Sequence, residues 1–132
     1  MSGECELETL LRNLAPVLRP ERYVIGSVDS WPDSLPEGLL AAIQEPEGLT
    51  VVVPVAEAHG SGLEASPVFR CIRLDVHSSL EAVGLTAAVS TRLATHGISA
   101  NLLAGACHDH LLVPEGDAEH ALRVLEALSS EG

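Results

Sequence analysis

At 132 residues the chain is long enough for one compact unit, or two small halves sharing a core, and too short for a large multidomain enzyme. Hydrophobic residues make up 46% of it and charged residues only 20%, which excludes a disordered chain. Nineteen acidic side chains stand against seven basic ones, all arginine and none adjacent, for a net charge of −12. That balance excludes a surface of clustered Lys and Arg for nucleic acid or an anionic membrane, and it keeps an apolar composition in solution.

Glu4 to Leu14 places Leu7, Leu10, Leu11 and Leu14 at helical spacing, with Pro16 and Pro20 closing the helix. Three short strands are expected next, over Tyr23 to Val28, Gly38 to Gln44 and Leu49 to Val53, separated by turns at Trp31 to Gly38 and Glu45 to Gly48. Val55 to His59 reads as a short helix stopped by Gly60-Ser61-Gly62, the best linker in the chain. Phe69 to Val76 is a strand with Ile72, Leu74 and Val76 on one face. Ser78-Ser79-Leu80-Glu81 has the form of a capping box, which starts a helix running to about Thr95 through Ala82, Leu85, Val89 and Leu93, with Gly97 ending it. Ile98 to Ala104 and Cys107 to Val113 form two strands around a turn near Gly105, and Asp117 to Leu128 is an amphipathic helix. The second half thus reads β-α-β-β-α. A weak repeat links the halves, since Val51-Val52-Val53-Pro54 and Leu111-Leu112-Val113-Pro114 both pass from strand through proline to helix.

No apolar run approaches the ~20 residues of a bilayer span, and Met-Ser-Gly-Glu-Cys-Glu lacks the basic and apolar regions of a secretion signal, so a cytoplasmic protein is expected. Cys5, Cys71 and Cys107 show no C-x-x-C spacing; they are expected to be reduced, with Cys71 and Cys107 in the core. Three aromatics, Tyr23, Trp31 and Phe69, are too few for a base-stacking platform. Ser78 and Ser79 beside His77 lack a nucleophile-elbow glycine frame, and there is no phosphate loop or dinucleotide fingerprint, so a non-enzymatic protein without cofactor is expected.

The strings His77-Ser78-Ser79-Leu80-Glu81-Ala82-Val83-Gly84-Leu85, Gly97-Ile98-Ser99-Ala100-Asn101 and His108-Asp109-His110-Leu111-Leu112-Val113-Pro114 resemble an ACT domain. They are similar to the small bacterial tandem ACT proteins and to the ACT repeats of aspartate kinases and cytosolic arginine sensors. The resemblance implies an α/β (α+β) fold of two ferredoxin-like βαββαβ halves, a companion half over residues 1–67 and an ACT domain over 68–132. The second half lacks its own closing strand, so that strand is expected from the first half or from another chain. The resemblance also implies a small effector, an amino acid, bound near the first strand-to-helix loop. The residues it points to are His77, Ser78, Ser79, Glu81, Gly84, Asn101, Gly105 and Asp109.

Free N–H groups at a helix start near Ser79 suit a ligand's α-carboxylate, and Gly84 lets a backbone or ligand approach closely. The same residues could equally be a plain cap and a packing glycine. Asp109 shares a strand face with Cys107, Leu111 and Val113, and a carboxylate there needs a cation. A ligand's amino group or guanidinium is one candidate, and Arg70 or Arg73 is the other. Asn101 either binds the ligand's amino group or caps a loop. A rival reading takes His108 and His110 as metal ligands on one strand face, with His77 or His96 as the third, and another treats the fold as a dimerisation module without ligand. A homodimer is expected in either case, through strand edges or, if the first half supplies the closing strand, through helices.

Overall fold

The computed structural model describes residues 6–59 and 63–131. Cys5 and the Gly60-Ser61-Gly62 linker lie outside the described residues. By packing the chain divides into two compact units, residues 1–20 with 70–132 and residues 21–69. This is not the division by chain order at 67/68, because the first helix and the start of the first strand pack with the second half.

In the larger unit, α1 covers Leu7–Arg12, shorter than the leucine spacing suggested. The chain then reverses at Ala15, which adopts a positive φ of 47°, and enters β1, Pro16–Val28. Pro16 and Pro20 therefore begin a strand as well as closing a helix. A proline cannot donate to a ladder, and these two sit where no β3 partner is registered, since that pairing starts at Tyr23. The opening of β1 lies beside β4, Phe69–Leu74, where the Asp75 and Val76 amides donate to the Ala15 and Leu14 carbonyls at 3.1 and 3.3 Å. α2 spans Leu85–Thr95, β5 Asn101–Ala104, β6 Asp109–Pro114 and α3 Ala118–Glu131. β5 and β6 pair antiparallel, Asn101 opposite Leu112 and Ala104 opposite Asp109.

The expected helix start at Ser79 is not there. Ser79 Oγ instead accepts the Glu81 amide at 3.1 Å in a local turn, and α2 begins only after Gly84, whose φ of 104° no helix interior admits. The capping-box spelling is satisfied by a turn because the next residues bend through that glycine.

Leu10, Leu14, Ile72, Leu74, Val89, Leu93, Leu111 and Leu125 interlock beneath the helices, together with Ile98, Ala118, Ala121 and Leu128. Burial of this stripe explains α3: a face of Ala118, Ala121, Leu125 and Leu128 closes over the strands. Cys71 is buried as expected, whereas Cys107 is exposed in the bend between β5 and β6.

The smaller unit contains the rest of β1, β2 (Ala41–Glu45), β3 (Gly48–Pro54) and a 3-10 turn at Val55–Glu57 in place of a helix to His59. β3 pairs antiparallel with both neighbours, Tyr23 opposite Pro54 and Ala42 opposite Val51. Val24, Leu49, Val51, Val53 and Leu63 make its core. A Cβ at Gly26 would come within 2.8 Å of Leu63, so glycine permits that approach. Trp31 is 53% exposed and donates to Gln44 Oε1 at 3.1 Å, so it is a surface tether.

The strand order is β2-β3-β1-β4-β6-β5. Pro16–Pro20 of β1 occupies the flank of β4 where a βαββαβ unit places its last strand. The missing closing strand of the second half is thus supplied by the first half.

Candidate functional site

A small cleft of about 80 Å³ opens in the larger unit between the loop after β4, the start of α2 and the end of the β5–β6 hairpin. Ser78, Ser79, Thr86 and Asp109 supply its polar groups, and Leu80, Ala82, Leu85 and Ala104 its apolar ones. Each position follows from local structure. β4 delivers the chain to Ser78, the Ser79 turn folds the loop back, and Gly84 redirects it into α2. Pairing of Asp109 with Ala104 sets both at the mouth of the hairpin, and alternation along β6 puts Asp109 on the face of Leu111 and Val113 that packs under the helices.

α2 has no side-chain cap and no acidic residue in its first turn. The N–H groups of that turn have no intrahelical acceptor, and the positive end of the helix dipole adds to them. Asp109 is half-buried, and desolvation pushes its carboxyl above the usual carboxylate range against the pull of His110 and His108. No hydrogen bond or ion pair to the Asp109 carboxyl group is found among the described residues. The two arginines that could have neutralised it are engaged elsewhere: Arg73 pairs with Asp75, and Arg70 donates through Nε and Nη2 to the Arg19 carbonyl at 3.0 and 2.7 Å. The cleft therefore joins an uncapped helix start to a carboxylate that lacks a cation.

Of the residues singled out from sequence, Ser78, Ser79 and Asp109 line this cleft. Glu81 is exposed and contributes its amide to the Ser79 turn. Gly84 sets the helix start but lines a different hollow, and His77 is half-buried outside the cleft lining. Asn101 is exposed at the far end of β5, opposite Leu112, and Gly105 donates its N–H to the His108 carbonyl at 2.9 Å in the hairpin turn. Thr86 and Ala104 were not legible as site residues. The positive φ that only Gly84 relieves is the one signal that could have moved the helix start onto Leu85 and Thr86.

A larger open groove, about 890 Å³, runs beside Leu7, Leu11, Ala87, Ala88, Thr91 and Leu128. Its Arg92 and Glu131 already satisfy each other through two 2.7 Å hydrogen bonds, which leaves little chemistry free there. His110 lies on β6 and His108 just before it, but no group of three His, Cys, Asp or Glu able to hold a metal ion occurs among the described residues.

The ACT domain family matches residues 2–70 and again residues 66–127. The chain belongs to the ACT domain family. It is a tandem ACT protein whose two family matches overlap over residues 66–70. A Vibrio cholerae protein of unknown function, described as a possible transport protein, is 44% identical over 93% of this chain and 95% of its own, with a TM-score of 0.77. An Agrobacterium tumefaciens protein is 18% identical over 83% and 84% of the two chains, with a TM-score of 0.65. The regulatory subunit of aspartate kinase from Thermus flavus is 16% identical over 86% and 95%, with a TM-score of 0.63. The last two show likeness of fold. Among curated proteins none matches the chain. ACT domains commonly bind small molecules such as amino acids for regulation, and often dimerise. Among the described residues no helix is long and apolar enough to cross a membrane.

Proposed function

We propose that this tandem ACT protein is a non-enzymatic regulatory module that binds a small amino acid in the cleft between Ser78 and Asp109. The observation that carries the reading is the half-buried Asp109 with no cationic partner, set across from the uncapped start of α2. The amide groups of the first turn and the Ser78 and Ser79 hydroxyls would take the α-carboxylate, and Asp109 the α-ammonium. A cleft of about 80 Å³ suits a compact side chain better than a long one. The protein acts in the cytoplasm as a homodimer, with light scattering at micromolar concentration as the check on assembly.

The test is thermal melting against the standard amino acids at millimolar concentration. A ligand that binds only the native state adds about 2.7 kcal/mol at a hundred times its Kd, several degrees for a chain of this size. Asp109→Asn, which keeps the shape and removes the charge, should abolish most of that shift. If no amino acid moves the wild-type melt, the reading fails and a dimerisation module without ligand takes its place.

A further inference from the structure

The face of β6 turned away from the helices carries His110 and Leu112, opposite in parity to Asp109, Leu111 and Val113, and His108 lies just before the strand. The Nδ1 atoms of both histidines are sealed from water and have no hydrogen-bond partner. A Cβ at Gly105 would lie 3.3 Å from His110 Nε2 and 2.7 Å from the His108 carbonyl oxygen, so the His110 ring is packed against the hairpin turn. A neutral imidazole tolerates this placement, because one ring nitrogen then needs no donor partner and can remain a bare lone pair. An imidazolium carries N–H on both nitrogens, so protonation would bury a charged donor with nothing to accept it.

Neighbouring elements make the face more hostile to added positive charge. β4 contributes Arg73, which is paired with Asp75, along with the buried Cys71, and β1 contributes Arg19. On its own strand His110 feels Asp109, whose charge favours the proton, and His108, which opposes it. Asn101 and Leu103 of β5 bring no ionisable group. Burial, then His108, Arg73 and Arg19, hold the His110 proton affinity below the ordinary histidine value, and the Asp109 attraction does not reverse this. Asp75, the carboxylate on which His108 acts, is already committed to Arg73, which holds it below the usual carboxylate range.

We propose that His110, packed against the hairpin turn, is a proton-sensitive latch on the β5–β6 hairpin, closed while its ring is neutral and released on acidification. The latch stands whether or not an amino acid binds in the cleft. The sign follows from linkage: a histidine whose folded-state affinity is depressed contributes stability that is present above its unfolded pKa, ~6.5, and is lost as the pH falls from there through the folded value.

The experiment uses the full chain without ligand, melted between pH 7.5 and 5.5, as wild type and as H108Q/H110Q. The wild-type Tm should fall by about 3 °C or more beyond any fall in the double variant. Hydrogen exchange, corrected for intrinsic rates, should quicken in the β5–β6 hairpin relative to the histidine-free β2–β3 hairpin. Should the double variant not fold, proton NMR titration of the wild type decides instead, with the His110 resonance assigned from H110Q: a midpoint below ~6.5 supports the latch. Parallel melting profiles, or a His110 midpoint at or above that value, overturns it.

Discussion

Two strand-to-proline corners in this protein carry nearly the same backbone and lead to different structures. Pro54 (φ −58°, ψ 149°) and Pro114 (φ −54°, ψ 139°) each end a strand and open a 3-10 turn, Val55–Glu57 and Glu115–Asp117. After the second, the chain runs on into the fourteen-residue α3; after the first, no helix follows among the residues described up to His59. Proline presets the same φ in both cases. What differs is the sequence beyond the turn. Asp117 to Leu128 offers an apolar face with a core waiting beneath it, whereas the residues after Ala58 run into Gly60-Ser61-Gly62. A repeated corner thus specifies a change of direction, and the element that follows depends on whether there is apolar surface to bury.

The two cores test this difference most strongly. Leu111 and Leu49 are both fully buried, one in the helix-covered cluster and one in the smaller unit. Leu111→Ala should cost about 2–5 kcal/mol in denaturant unfolding, and Leu49→Ala less, because a cluster of few residues can close around the cavity. Equal losses would show that the smaller unit is packed as tightly as the larger.

Gly84→Ala comes next. At φ 104° an L-residue is strained, and the new methyl would meet Leu7 Cδ2 at 3.2 Å, so a loss of about 1–3 kcal/mol is expected. Gly97→Ala has open space and φ 73°, and should cost about 1–2 kcal/mol. The difference between them combines the contact with Leu7 and the wider departure of Gly84 from the left-handed well, to be read from denaturant midpoints at constant slope.

Asp109→Asn should raise the ligand-free Tm by about 1–3 °C at pH 7, since a partly desolvated carboxylate with no cation is replaced by a neutral isostere. The sign is fixed by a folded pKa above the unfolded one: stability from the protonated acid is present at low pH and is lost as pH rises through the folded value, so the advantage of Asn should vanish towards pH 4. A lower Tm in the variant would mean that Asp109 has a structural partner after all. Ser78→Ala should change stability by less than about 0.5 kcal/mol, because it caps no helix, where a true N-cap would lose about 1 kcal/mol.

Much of this protein was legible from residues alone. Periodicity found α3, the β5–β6 hairpin and the strands of the smaller unit to within a few residues, because an apolar stripe or alternation is needed to bury each of them. Of the residues to which the ACT strings pointed, Ser78, Ser79 and Asp109 line one cleft, and His77, Glu81, Gly84, Asn101 and Gly105 lie outside its lining. Three things were decided only by the tertiary structure. Pro16 and Pro20 entered a strand because β4 needed a partner on that flank, and prolines are tolerated where β1 is paired on one side only. Ser78 to Glu81 spelled a helix cap, yet the positive φ of Gly84 moved the helix start past it. Asp109 was left without Arg73 because alternation puts that side chain on the other face of the sheet, where it pairs with Asp75, and without Arg70 because that guanidinium donates to the Arg19 carbonyl. Local sequence can state which groups need partners, but the choice among partners is made by distance across the sheet, and distance exists only once the chain has folded.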